Sequence, residues 1–492
     1  MSLYSDISGI VGEANVSKSE IDKLVYSRDL ASSIPDELLK AYGLLGADLV
    51  VLARSVEHVS EVLAYAHRKR VPVVPRAAGT WALGGVLPLD GGIALDMNNM
   101  NSILELNEED EYVRVEPGIE WKRLIDYLDA RGYQVGANPS SGLSATVGGY
   151  IATGGTAGIG VTKYGTVGDQ IISLKVALAD GRIIETNPLD SWLFVGSEGT
   201  LGVTCEATLK IFRKESVRYL MFAFDSLDEG TEALGQLYDL KPYFIAFLED
   251  GLVRLLNRMG GHMKEKPLTV ALAIDGTEQE LELMEGKIQE ICAGAYRYPD
   301  EEAEHEWESR YKTGLSFKRL GPSLFAQEMR IPVKFLGNAM KELGELLKDY
   351  EWGAESLAGD NNTVVLSILV LADERIKSQY MRQFSFVLPI SKIAYRNHGT
   401  VFGMGMHNAA HMSSIHGFGL DVMRYIKESI DPGNIINPSK TLEAVFPKPV
   451  LTMFMIMMRF VPQVVSVMLG AMSYLPVRWI KFGMGLLRLR VD

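Results

Sequence analysis

Apolar residues recur along this chain with two different periods, and the change between them divides it. Residues 48–53 (DLVVLA) form an aliphatic run that predicts a short buried strand. Ser55 stands where a helix N-cap belongs, and Val56, Val59, Leu63 and Ala66 then recur at helical spacing. A second aliphatic run at 71–74 ends at Pro75, so residues 48–75 read as a β-α-β unit. Short strands and glycine-rich turns follow to about residue 213, among them 103–106 (ILEL), 112–118 (YVRVEPG) and 173–184 (SLKVALADGRII). In the last of these, Ala179-Asp180-Gly181 marks a hairpin. From 216 to 395 longer helical patterns, at 278–292 and 335–349, alternate with β runs at 218–224, 267–274 and 363–371. That texture predicts a separate α+β unit. Residues 396–442 are again rich in glycine and histidine, and no internal repeat is visible.

Composition narrows the function. A chain of 492 residues, 47% hydrophobic and 23% charged, has apolar material for two or three cores. Its net charge of −13 argues against nucleic-acid binding, which needs a basic face. Two cysteines, Cys205 and Cys292, cannot build a disulfide framework, a four-cysteine zinc site or an iron–sulfur cluster. They suit a reducing compartment, and the first residues show neither the basic nor the apolar region of a signal peptide.

The C-terminal 46 residues break the average. Six basic residues and one acid fall there, a net +5, while the first 446 residues carry −18. Residues 460–477 form an uncharged stretch of 18, the lower limit for a membrane span, but Pro462, Gln463 and Pro476 interrupt it. Arg478, Lys481 and Arg488 fall on one helical stripe beside Trp479, Ile480, Phe482, Leu486 and Leu487. This pattern predicts a peripheral anchor on an anionic membrane surface, with docking to a partner subunit or a true span as alternatives. The expected location is the cytoplasmic face of the cell membrane.

No strand is followed by G-x-G-x-x-G, and no P-loop motif occurs. Three glycine-rich segments stand instead at element junctions: 71–85 (VPVVPRAAGTWALGG), 138–165 (NPSSGLSATVGGYIATGGTAGIGVTKYG) and 194–211 (FVGSEGTLGVTCEATLKI). Runs of small residues expose backbone N–H groups and let a diphosphate approach closely.

Taken together, these segments resemble the FAD-linked oxidase family of D-lactate dehydrogenases and glycolate oxidase flavin subunits. The family's P-R-G-x-G-T-x-x-x-G-G resembles residues 75–85, and its A-T-x-G-G-x-x-A-T resembles the end of 139–153. G-S-E-G-T-L-G-[IV] stands intact at 196–203, and 430–440 (IDPGNIINPSK) resembles D-P-x-x-I-L-N-P-G-K. The resemblance implies an α+β protein with a two-subdomain FAD-binding domain of the p-cresol methylhydroxylase (PCMH) type at 1–215. It further implies an α+β cap over the substrate at 216–395 and a return to the flavin at 396–446, leaving 447–492 as the apolar, membrane-interacting tail. It assigns FAD contacts to Arg76, Ala77, Ala78, Gly79, Thr80, Trp81, Ser140, Ser141, Thr146, Gly148, Gly149, Gly199, Gly202, Val203 and Asn437. Because the first loop reads RAAGTW without histidine, the flavin is expected to be non-covalent.

The implied chemistry removes a hydride from C2 of a D-2-hydroxy acid to FAD, with a base for the hydroxyl proton and cations for the carboxylate. Many relatives hold a metal with H-x-G-D-G-N-x-H and a later Glu-His pair. Here Leu357 and Val364 occupy the two histidine positions, and Met404 and Gly405 the pair, so no metal is expected. His398 and His407 are the candidate bases, and His407 with His411 could ligate a metal only if helical. Arg310, after Trp307, resembles the family's carboxylate-binding arginine, a role its bidentate fork suits. Electrons are expected to pass to a separate iron–sulfur or quinone-linked acceptor. Two other readings stay open: a flavin-bearing electron-transfer or scaffold subunit without catalysis, and an enzyme like alkylglycerone-phosphate synthase.

Overall fold

The computed structural model describes residues 2–29, 46–310, 316–321, 323–373 and 375–442, together with 453, 456–462 and 464–465. Among these residues the chain forms three sheets. The first contains β1 (Val16–Ser17), β2 (Leu49–Leu52), β3 (Val73–Arg76) and β4 (Ile93–Asp96), in the order β1-β2-β4-β3. Both β2 and β3 run parallel to β4. The helix Val56–Lys69 makes the crossover, with Ser55 accepting at its N-cap from His58 N–H and Val59, Val62, Leu63 and Ala66 buried beneath it.

Two details differ from the sequence reading. The second strand runs Val73–Arg76 rather than 71–74, because Val71 N–H still donates to Ala66 C=O at the helix end. The β-α-β unit also brackets a third strand, β4, so β3 lies at the sheet edge, where Pro75 is tolerated. The outer side of β3 is covered by the chain's return: Val73 N–H donates to Ile435 C=O (2.7 Å) and Asn437 N–H to Val73 C=O (2.8 Å).

The second sheet holds β5 (Ile103–Asn107), β6 (Tyr112–Val115), β7 (Tyr133–Val135), β8 (Ile171–Ala177), β9 (Ile183–Glu185) and β10 (Val203–Arg213). Its order is β5-β6-β10-β8-β9, with β7 also paired to β10. The expected hairpin closes between β8 and β9, where Gly181 N–H donates to Leu178 C=O.

The third sheet has eight strands: β11 (Ser216–Phe224), β12 (Phe244–Glu249), β13 (Leu268–Gly276), β14 (Tyr296–Arg297), β15 (Ser323–Pro332), β16 (Trp352–Ala358), β17 (Thr363–Ala372) and β18 (Thr400–Val401). They lie in the order β14-β11-β13-β12-β16-β17-β15-β18, and every pairing is antiparallel. Helices Leu227–Asp239, Glu278–Ile291, Leu336–Leu347 and Val387–Arg396 bury Leu234, Ile288, Leu343 and Ile390 against one face. The period-2 alternation of a strand sends its next side chains to the opposite face. There Ala246, Ala271 and Phe244 pack beside the helix Asp300–Ser309, and a cavity opens.

From the tail, Met458 and Val465 are fully buried in the helix-covered core of this third sheet, and Arg459 lies over the Phe386 ring at 5.6 Å. Met453, Ile456, Phe460 and Val464 are exposed. The basic stripe of Arg478, Lys481 and Arg488, with Trp479 and Phe482, lies outside the described residues. No helix among the described residues is long and apolar enough to cross a membrane.

Candidate functional site

All three glycine-rich segments open onto one cavity of about 1340 Å³ between the two smaller sheets and the free face of the third. That exceeds the roughly 300–1,000 Å³ of a drug-sized pocket and leaves room for a dinucleotide with a substrate beside it. Arg76, at the end of β3, and Ala77, Ala78, Gly79, Thr80 and Trp81, from the loop after it, line it. So do Ser140, Ser141, Thr146, Gly148 and Gly149 from the second segment and Gly199, Gly202 and Val203 from the third. Gly148 is required for close approach: a Cβ there would stand 2.5 Å from Pro117 Cβ. Gly199 adopts φ +66°, the left-handed region that favours glycine.

The donor set fits an anionic dinucleotide. The three segments carry two carboxylates: Glu206 pairs with Lys175 and Arg114 away from the cavity, and Glu198, on its wall, is already engaged. Glu198 accepts from Gly405 N–H (2.7 Å), Met404 N–H (3.2 Å) and Thr441 Oγ1 (3.0 Å), although burial raises its pKa. The Trp81 indole N–H is buried at this wall without a partner among the described residues.

Asn437 does not line the cavity. Its side-chain amide donates to Gly85 C=O (3.1 Å) and Glu198 C=O (2.8 Å), tying the first and third segments together. Around it, Lys427 Nζ donates to Thr200 C=O (2.7 Å), Ile436 C=O (2.8 Å) and the Asp431 carboxylate (2.6 Å). Asp431 in turn accepts from Ile435 and Ile436 N–H. Lys440 donates to Leu87 C=O, and burial pushes its amine down to about 7. The motif read at 430–440 thus braces the loops from behind.

The candidate bases also stand outside the cavity. His398, at φ +56°, packs its ring on Phe335 (4.4 Å). His407 faces Phe384 (5.9 Å), and burial lowers its pKa to about 4, so it stays neutral. It sits in a turn, which removes the helical spacing to His411, whose Nδ1 lies 2.9 Å from the Tyr395 hydroxyl. Asp169 serves locally, closing a capping box with Thr166. No group of His, Cys, Asp and Glu able to hold a metal occurs among the described residues.

Arg310 does line the cavity, with its guanidinium over the Trp307 ring at 3.5 Å. The sequence reading missed the carboxylates nearby. Glu328 on β15 and Glu355 on β16 both pair in register with Ser367 on β17, so the three side chains form one row facing the cavity. Glu306, from the helix Asp300–Ser309, joins the lining. Burial raises the pKa of Glu328 to about 7; burial, then Glu306 and Glu328, raise that of Glu355 to about 7. The sequence signal is weak: Glu328 stands between Gln327 and Arg330 in β15 and Glu355 beside Ser356 in β16, each on the face opposite the buried Met329 and Ala354.

A model of the FAD binding domain matches residues 47–187, and one of the FAD linked oxidases C-terminal domain matches 213–441. The chain belongs to the FAD-linked oxidase family. This member is 29% identical over 462 residues to the glycolate oxidase subunit GlcD of Bacillus subtilis (strain 168), across 88% of this chain and 94% of that one. It is 29% identical over 425 residues to the probable mitochondrial D-lactate dehydrogenase of Danio rerio, across 80% and 84%. Among solved structures, p-cresol methylhydroxylase with substrate bound aligns with TM-score 0.76 at 15% identity, over 90% of this chain and 96% of that one. Alkyldihydroxyacetonephosphate synthase aligns at 0.71 and 19%, over 88% and 84%. Both show the PCMH-type fold. The family's cofactor is FAD, and this protein is an FAD-dependent oxidoreductase.

Proposed function

We propose that this protein is a dehydrogenase that oxidises a D-2-hydroxy acid of the D-lactate or glycolate type at CH–OH and passes the electrons to a separate acceptor. The observation that carries this reading is Arg310 on the wall of the same cavity as the three glycine-rich segments. Those segments would hold FAD non-covalently, and the bound cofactor would supply the hydride-accepting chemistry at C2 of the substrate. Arg310 binds the substrate carboxylate through a charge-assisted pair and fixes which face of C2 is presented. Alanine, valine and leucine side chains of the third sheet exclude water from the reacting carbon. The names of the relatives, glycolate oxidase and D-lactate dehydrogenase, support this substrate class. The change of sheet at Ser216 supports an FAD-binding unit at 1–215 under a cap at 216–395.

The acceptor is an iron–sulfur or quinone-linked protein, since the chain's two cysteines are both buried and too few for a cluster of its own. The tail holds the enzyme peripherally at the anionic inner face of the cell membrane. The exposed Ile456, Phe460 and Val464 beside the buried Met458 support that role, with the net +5 of residues 447–492. The test is anaerobic mixing with a panel of D- and L-2-hydroxy acids. A D-isomer or glycolate should bleach the flavin, with or without chelator. Flavin that no member bleaches would leave a non-catalytic electron-transfer subunit.

A further inference from the structure

Oxidising a carbinol requires a group that takes the hydroxyl proton, and the histidines expected to do so are turned away from the cavity. The cavity wall offers another group. Glu328 lies on β15 with one carboxylate oxygen, Oε1, accepting from Ser367 Oγ at 2.8 Å. That bond fixes the carboxyl plane. The other oxygen, Oε2, is shut from solvent and has no partner among the described residues. Its place relative to the flavin segments is set by a short chain of contacts. Phe402 N–H donates to Glu328 C=O at 3.1 Å, and the Phe402 ring meets the Trp81 indole edge-on at 6.0 Å. Trp81 belongs to the first glycine-rich loop, so Phe402 links the strand of Glu328 to that loop.

The geometry points to Glu328 as the catalytic base, its Oε2 receiving the substrate hydroxyl proton. This rests on the proposed oxidation of a hydroxy acid. The O–H bond breaks to Glu328 Oε2 as the hydride, with its electron pair, leaves C2 for FAD. The products are the 2-oxo acid, the two-electron-reduced cofactor and a neutral Glu328 that later returns its proton to water. Ser367 is a positioning residue. A carboxyl brought to about 7 by burial is matched to this work, ionised often enough to accept and basic enough to hold. The groups around it are few. Glu355 faces it from β16 and Glu306 stands beyond Glu355. Arg330, on the same strand, is committed to Asp360 (2.8 Å) and Thr156.

The test compares FAD-loaded wild type with Glu328→Gln, which keeps the shape and removes the base. In anaerobic stopped-flow with the hydroxy acid that bleaches fastest, the limiting rate should fall about 100-fold or more, the usual worth of a general base. The substrate Kd from the same titration should move less than about threefold, because Arg310 holds the carboxylate. The wild-type rate should rise with pH through about 7 and level off above it, and the variant should show no such rise. Glu355→Gln should keep the rise. Infrared spectra below pH 7 should show a protonated carboxyl band that is weaker by one carboxyl in Glu328→Gln, a signature independent of turnover. A Glu328→Gln enzyme with near wild-type rate, or an unchanged carboxyl band, overturns the assignment while the hydroxy-acid reading survives. Flavin that no hydroxy acid reduces removes both.

Discussion

Asp431→Asn is the sharpest test of the idea that the returning chain segment braces the FAD loops. The Asp431 carboxylate is fully buried and its partner Lys427 is 10% exposed, so water cannot replace what the substitution removes. Asparagine keeps the volume but not the charge, leaving the Lys427 ammonium with two carbonyls at 2.7 and 2.8 Å. Breaking one side of a buried ion pair costs about 3–5 kcal/mol, and the two remaining carbonyls place this case near 3 kcal/mol. The carboxylate also takes two backbone N–H groups, from Ile435 and Ile436. The asparagine NH2 must face one of them, adding about 1 kcal/mol. A total near 4 kcal/mol should lower the denaturant midpoint and the temperature of flavin release together, because Lys427 and Asn437 hold the Thr200, Gly85 and Glu198 carbonyls of the same loops. The assay is FAD fluorescence during denaturation of the flavin-loaded protein. A loss below about 1 kcal/mol with unchanged flavin retention would refute the bracing role.

Other outcomes follow from the same geometry. Purified protein should be yellow, and acid precipitation should release the colour; Gly199→Glu, which puts charge and a strained φ at the diphosphate wall, should abolish it. Arg310→Ala should raise the KM for a carboxylate substrate, since losing a charge-assisted pair costs about 1.5–3 kcal/mol, with little change for an uncharged alcohol. Glu328 and Glu355 bind protons in the folded state up to about 7 but unfold to ordinary carboxyls near 4.5. Between those values the folded state holds more protons, so stability from these groups falls as pH rises across that window; melting curves of Glu328→Gln/Glu355→Gln should lack that slope. Ending the chain after Val465 should weaken flotation with anionic liposomes and leave a yellow protein, whereas ending it before Met458 should also destabilise the third sheet.

That the three glycine-rich segments share one cavity was legible because the demands of the wall proposed for FAD are local. A diphosphate wall needs small residues in sequence, and 75–85, 139–153 and 196–203 announce it in order. Asn437 carried a family signature, and its amide bonds the Gly85 and Glu198 carbonyls behind the cavity, since a motif records that a residue is required and not whether it touches ligand or backbone. The helix Val56–Lys69 could be read from Ser55 and its apolar spacing, but β4 between β2 and β3 could not, because strand order is set by long-range pairing. The proton-handling group was hidden for the same reason. Glu328 and Glu355 lie 27 positions apart and meet only because both pair with Ser367. Histidine drew attention by its ordinary pKa, whereas burial gives a glutamate that value only in the folded chain.

The most direct test of the central claim is anaerobic reduction of the FAD-loaded protein by D-lactate, L-lactate and glycolate, each with chelator present. Bleaching by D-lactate or glycolate, unaffected by chelator and lost in Arg310→Ala at low substrate, is the predicted result. Flavin that stays oxidised with all three, or is reduced only by L-lactate, would contradict it.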